Sequence, residues 1–146
     1  MRALLQRVSE SSVAIDGEIT GKIGEGLVIL LGITHSDTPE DVNFLAEKCV
    51  KLRIFRDEND KMNRSLLDVQ GSALIISQFT LYGDASKGRR PSFTEAARPE
   101  QAIPLYEKFI AAVSAAGVKV ASGRFGADML VDIKNNGPVT ILVESR

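Results

Sequence analysis

The sequence predicts an α+β fold whose sheet is largely antiparallel. Short apolar runs of strand length recur along the chain, two segments of helical period are set between them, and a two-residue hairpin signal lies near the start. At 146 residues, 44% of them hydrophobic, the chain has the size of one globular domain with its own core.

The opening "MRALLQRVSESSVAIDGEITGKIG" reads as a strand, then a strand, turn and strand, with Asp16 and Gly17 as the two-residue turn. "GLVILLGIT", residues 26–34, is continuously apolar and β-branched, as a central strand covered on both faces must be. In "TPEDVNFLAEKCVKLR" Thr38 is a suitable N-cap, Pro39 fits the first helical position, and Glu40 and Asp41 set negative charge at the positive end of the dipole. Val42, Leu45, Ala46, Cys49, Val50 and Leu52 then form an apolar face, which makes Cys49 a buried hydrophobe. "RDENDK" is a solvated loop between short strand-like pieces. "SALIISQFTLYGD", 72–84, reads as a strongly apolar strand, and 85–100 as an irregular stretch about as long as ordered loops become. A second helix, "EQAIPLYEKFIAAVSAAG", places Ile103, Tyr106, Phe109, Ile110 and Val113 on one face, takes Pro104 in or near its first turn, and ends at Gly117. The tail reads as strands, Met129, Val131 and Ile133 alternating with Leu130, Asp132 and Lys134, broken by the Gly and Pro of "NNGPVT". Sheet edges in such a domain need cover, which favours a dimer.

Composition narrows the chemistry. A net charge of −1 provides no global basic field, so a nucleic-acid partner has to be held by a local patch. No window approaches the roughly 20 apolar residues of a membrane span, and the N-terminus lacks a leader pattern, so a cytoplasmic protein without membrane contact is expected. One His and one Cys cannot build a zinc site of several such ligands within a chain. His35 sits between an apolar strand and a helix start, where a surface loop is expected and a catalytic triad is not. An enzyme of this composition works without the usual bases.

Three segments could carry function. "SQFTLYGD" brings Ser77, Gln78 and Thr80 to a strand end beside a long loop, where a fixed backbone can aim N–H donors; an ordinary edge strand with a Gly-Asp turn has the same residues. "SKGRRPSF" gathers Lys87, Arg89 and Arg90 in a glycine-containing loop followed by Phe93, which suits a phosphate-bearing single strand and equally a solubilising loop. Gly137 and Pro138 expose backbone carbonyls without a side chain in front, or merely turn the chain.

Taken together, "MRALLQRV", "GLVILLGI", "SQFTLYGD", "KGRRPSF" and "GRFGADMLVDIKNNGPVTI" resemble the D-aminoacyl-tRNA deacylases of bacteria and eukaryotes (the D-tyrosyl-tRNA deacylase family) over essentially the whole chain. One departure is Asn136, where the family pattern has Asp before the Gly-Pro pair. The resemblance implies a single barrel-like α+β domain over 1–146 with two main helices, acting as a homodimer. It implies proofreading by hydrolysis of the ester joining a D-amino acid, or mischarged glycine, to the 3′ end of tRNA, without cofactor or metal. In that scheme Gly137 and Pro138 are joined by a cis bond and enter the partner subunit's site, where they leave no room for an L side chain. Ser77, Gln78, Phe79 and Thr80 line the site, Phe79 and Thr80 giving backbone N–H groups to the oxyanion. Met129 joins them against the substrate, and Lys87, Arg89, Arg90 and Phe93 meet the RNA. Assistance falls to the 2′-hydroxyl of the terminal adenosine, the alternative being Thr80 as a covalent nucleophile. A noncatalytic module holding RNA 3′ ends, and an editing domain that clears an L-amino acid, are the competing readings.

Overall fold

The computed structural model describes residues 1–146. A six-stranded sheet is built from β1 (Arg2–Ile15), β2 (Glu18–Ile23), β3 (Gly26–Gly32), β6 (Ser72–Ser77), β7 (Lys119–Ser122) and β8 (Leu130–Glu144). Between β3 and β6 lie α1 (Pro39–Lys51) and the small hairpin β4 (Phe55–Arg56) and β5 (Met62–Arg64); α2 (Pro99–Ala115) precedes β7.

β1 organises the sheet. Its first half pairs with β3, its second half with β2, and its other edge pairs with β8 along nearly its full length, all antiparallel. The Asp16 and Gly17 turn closes β1 to β2, both residues having positive φ (51° and 82°) as a type I′ turn requires. Antiparallel pairing therefore predominates, but the sheet is mixed: β3 to β6 and β6 to β7 are parallel. The order strand, helix, strand forces this, because a crossover through a helix returns the chain in its starting direction. The sheet curls until β2 meets β7; a Cβ on Gly21 would lie 2.9 Å from the Ser122 carbonyl oxygen, so only Gly lets the barrel come this close to closing.

β3 is covered on both faces, as its continuous apolar run requires. Leu27, Ile29 and Leu31 join the main core under the helices, with Leu45, Cys49, Phe109 and Val113, whereas Val28 joins Val8, Val13, Leu74 and Ile76 inside the barrel. α1 begins where its cap predicts, the Thr38 N–H donating to the Asp41 carboxylate at 2.8 Å. Its buried face includes Cys49, whose thiol is pushed up to about 12 by burial and is no nucleophile at neutral pH. α2 starts at Pro99, which moves Pro104 from the expected first turn into the second. Pro104 is exposed, so the Glu100 carbonyl that loses its N–H partner there can reach water. Gly117 takes φ +99° beyond the helix end.

Two further expectations are corrected. The strand expected over 72–84 stops at Ser77 and becomes a 3-10 turn, Phe79–Tyr82. β7 pairs only as far as Ile75, and the β3 register ends at Leu31 opposite Ser77, the Leu31 carbonyl accepting from the Gln78 N–H at 2.7 Å, so no ladder remains to extend. The second concerns "NNGPVT". It is not a turn between two strands: β8 runs through it as one 15-residue strand. Asn135 pairs with Val8 and Thr140 with Gln6, so residues 136–139 stand as an outward bulge opposite the single residue Arg7.

Candidate active site

The 3-10 turn sits on the end of β3 because Gly32 has no side chain; a Cβ there would lie 3.0 Å from Leu81 Cβ and 3.1 Å from the Gln78 carbonyl oxygen. The turn is closed by Leu81 N–H donating to Gln78 at 3.2 Å and Gly83 N–H to Thr80 at 2.9 Å. Its first two N–H groups, those of Phe79 and Thr80, have no partner within the turn, as for any helix N-terminus. Gln78 Nε2 donates to Thr80 Oγ1, so the threonine hydroxyl faces an amide N–H and not a base.

Beside this turn lies a pocket of about 250 Å³ lined by Ile76, Ser77, Gln78, Phe79, Phe125 and Met129 among others. Met129 is seated over Gly123, where any Cβ would collide with its sulfur. Phe125 packs at 5.8 Å, ring centre to ring centre, against buried Tyr106. Thr80 stands next to the pocket but does not line it. Phe79, 55% exposed, meets Phe93 edge to face with ring centres 5.2 Å apart, and this contact ties the long loop to the site.

That loop is clamped at its base by Asp84 and Ser92, each N–H donating to the other's carbonyl at 2.8 Å. Lys87, Arg89 and Arg90 lie on the closed tip, exposed and without ion pairs, outside the pocket. His35 serves as a fastener, its Nε2 donating to the Thr94 carbonyl at 2.7 Å, and the hydrogen-bond partner of the Thr80 hydroxyl is Gln78.

Gly137 and Pro138 form the crest of the β8 bulge, both exposed, joined by a cis peptide bond, with Gly137 at φ +119°. The bulge is held from behind. Arg7 Nε donates to the Asn136 carbonyl at 3.2 Å and Nη1 to the Ile54 carbonyl at 2.8 Å, while Asn135 Nδ2 donates to the carbonyls of Arg7 and Val139 at 3.0 Å each. The grip on residue 136 is through its backbone, which explains why Asn serves where Asp was expected. Burial and the neighbouring Arg56 lower the pKa of Arg7 from its ordinary value. Within one chain Gly137 and Pro138 do not line the pocket that holds Ser77, Gln78, Phe79 and Met129. Sequence reading missed Arg7, Asn135 and Phe125. Arg7 carried a signal, since it falls in the inward phase of Ala3 and Leu5 on an alternating strand, where an unpaired charge is out of place.

Fold and site together define a small barrel-like α+β domain that offers backbone N–H donors beside a mostly apolar pocket, in place of a nucleophile paired with a base. Residues 4–144 match the family model described as D-Tyr-tRNA(Tyr) deacylase. A D-aminoacyl-tRNA deacylase of Bacillus licheniformis is 57% identical over 146 residues, 100% of this chain and 99% of that protein. One from Chloroflexus aurantiacus is 59% identical, covering 99% of this chain and 91% of its own. A solved structure titled c-Myc DNA Unwinding Element Binding Protein superposes with TM-score 0.94 at 39% identity, over 100% of this chain and 99% of that one. A probable eukaryotic D-amino acid tRNA deacylase shares the fold, with TM-score 0.85 at 20% identity over 98% of both chains. The chain belongs to the D-Tyr-tRNA(Tyr) deacylase family, and is a hydrolase of that family.

Proposed function

We propose that this 146-residue chain is a single deacylase domain that hydrolyses the ester of D-aminoacyl-tRNA, and of glycine mischarged on tRNA, as a cytoplasmic proofreading enzyme. The observation that carries the reading is the pair of backbone N–H groups of Phe79 and Thr80, which have no partner within the 3-10 turn they head, beside the Ser77, Gln78 and Met129 pocket. Water attacks the ester carbonyl carbon, the developing oxyanion lies against these two donors, the bond to the ribose 3′-oxygen breaks, and that oxygen leaves with a proton. An aminoacyl ester is already labile, so positioning and two donors supply what an amide would need a strong base to obtain. The proton is handled by the 2′-hydroxyl of the terminal adenosine. Thr80 is a poor candidate for a nucleophile because its only side-chain partner, Gln78 Nε2, donates and cannot accept a proton.

Selection against L-amino acids requires a second copy of the chain. β8 is an edge strand of 15 residues with Leu130 and Leu142 exposed at 77% and 51%, an edge that soluble proteins cover. A homodimer covers it and carries each Gly137 and Pro138 crest into the partner's pocket, where their carbonyls meet the α-amino group and fill the space of an L side chain. Lys87, Arg89, Arg90 and Phe93 hold the RNA end. Incubation with D-tyrosyl-tRNA separates this enzyme from a noncatalytic RNA-end module: release of free D-tyrosine supports the reading, and binding without release contradicts it.

A further inference from the structure

Behind the Gly137 and Pro138 crest, and sharing no lining residue with the Ser77 pocket, a cleft of about 400 Å³ opens between β1, the bulge and the β4 to β5 hairpin. Arg7, Arg56 and Arg64 face into it, together with Glu25, Asp68 and Asn136. Arg7 forms its floor and is only 5% exposed. Its Nε and Nη1 are spent on the two carbonyls described above; Nη2 has no protein partner, and no carboxylate pairs with the guanidinium. A nearly buried cation without a counterion is costly unless an anion reaches it. Glu25 and Asp60 lie near enough to favour its charge, but neither forms an ion pair with it. Asp68 is occupied by the Ser65 N–H at 2.8 Å, Arg64 Nη2 donates to the Asp68 carbonyl at 3.0 Å, and Arg56 meets only exposed Asp60 at 3.3 Å. Three guanidinium groups and the carboxylates of Glu25 and Asp68 line the cleft, and Asp60 pairs with Arg56 from beside it, so the cation left without an ion pair on its floor is Arg7. Arg56 is close enough to Arg7 to disfavour its protonated form, a repulsion that a bound anion would relieve.

We infer that this cleft is a phosphate-binding site, and that its occupant is a backbone phosphodiester of the RNA substrate. Guanidinium groups approaching from β1 and from the hairpin suit the tetrahedral oxygens of a phosphate, Arg7 through its free Nη2 and the exposed Arg56 and Arg64 through donors their present contacts leave over. The choice of RNA rests on the function proposed above: the crest that Arg7 holds is the one that enters the partner's pocket, so a strand leaving that pocket passes over the cleft at its base. The substrate is then held by both subunits, its 3′ end by one and its backbone by the subunit that supplies the crest.

The test compares the wild type with R56Q/R64Q, both changes lying on the exposed hairpin, using fluorescein-labelled uncharged tRNA between 50 and 200 mM salt. Affinity should fall roughly tenfold at about 100 mM salt, and the log–log salt slope should become shallower by about one for each phosphate that the variant no longer neutralises. Unchanged affinity and slope overturn the inference. Hydrolysis of D-tyrosyl-adenosine, which carries no phosphate, should proceed at the same rate in both proteins. A parallel loss there would mean that the substitutions damage the site at large, and also overturns it. If millimolar inorganic phosphate binds more weakly to the variant while RNA affinity is unchanged, the cleft is a free-anion site and the RNA assignment falls. Failure of the wild type to cleave either ester defeats the proposed function and leaves the binding comparison readable.

Discussion

Replacing Gly137 by Ala tests the crest directly. Gly137 lies at φ +119°, where an L side chain is strained by roughly 1–3 kcal/mol, and the new Cβ would fall 2.9 Å from Arg7 Nη2 and 3.0 Å from Val139 Cγ2. A long side chain usually swings away from such a contact. Arg7 cannot do so cheaply: it is 5% exposed, and leaving its bonds to Asn136 and Ile54 forfeits roughly 1.5–3 kcal/mol for each charged hydrogen bond. The bulge therefore gives way instead, by some tenths of an ångström. Misplacement of a positioning group by about 1 Å is enough to cost a factor of about 100 in rate, so kcat/KM for D-tyrosyl-tRNA should fall roughly 10- to 100-fold. The strain should lower Tm by roughly 3–10 °C while leaving a folded protein. Single-turnover deacylation, thermal melting and size-exclusion chromatography together read these effects. Full activity on the D substrate, in a variant shown to be folded, would refute the assignment of the crest to the site.

Three further outcomes are expected. Thr80→Ala should keep deacylation within about tenfold of the wild type, because its hydroxyl has no base; a loss approaching the 10⁴-fold or more typical of a deleted nucleophile, with binding intact, would reinstate covalent catalysis. K87Q/R89Q/R90Q should raise KM for charged tRNA and make its salt dependence shallower by about two to three, with kcat nearly unchanged, as measured from steady-state rates at several salt concentrations. The Asp41 carboxyl is held below its ordinary range, first by Arg146, whose Nε donates at 3.0 Å, and then by the Thr38 N–H, against the opposing effect of burial. A carboxyl depressed by folding stabilises the native state above its unfolded pKa near 4 and loses that contribution as pH falls towards the folded value. Asp41→Asn should therefore cost roughly 1 kcal/mol at neutral pH, as a lost helix cap does, and flatten the decline in stability below about pH 4 in denaturant titrations.

Much of the fold is legible in the sequence, and the reasons differ by residue. Thr38, Pro39 and Gly117 mark helix ends because their chemistry is local, and residues 26–34 announce a doubly covered strand because burial on both faces leaves no polar phase. The parallel pairing of β3, β6 and β7 is implicit in the element order, but it depends on where the crossovers pack. The 3-10 turn at Phe79 is hidden, because "QFTLY" has strand propensity and only the end of the neighbouring ladder forces the turn. "NNGPVT" has turn chemistry, yet β1 pairs on both sides of it and converts a hairpin signal into a bulge. Ser77, Gln78, Phe79 and Met129 do converge on one pocket, whereas Gly137 and Pro138 stand apart from it in a single chain. The dimer proposed to bring them together is a matter of long-range assembly, which no local pattern encodes.

Chirality is the central claim, and the most direct measurement is kcat/KM for D-tyrosyl-tRNA against L-tyrosyl-tRNA prepared from the same tRNA. Exclusion of an L side chain by backbone carbonyls is steric, so the D ester should be cleaved at least about 1,000-fold more efficiently, a difference of roughly 4 kcal/mol. Equal rates on the two esters, or preference for the L form, would contradict the assignment and leave an editing domain for L-amino acids in its place.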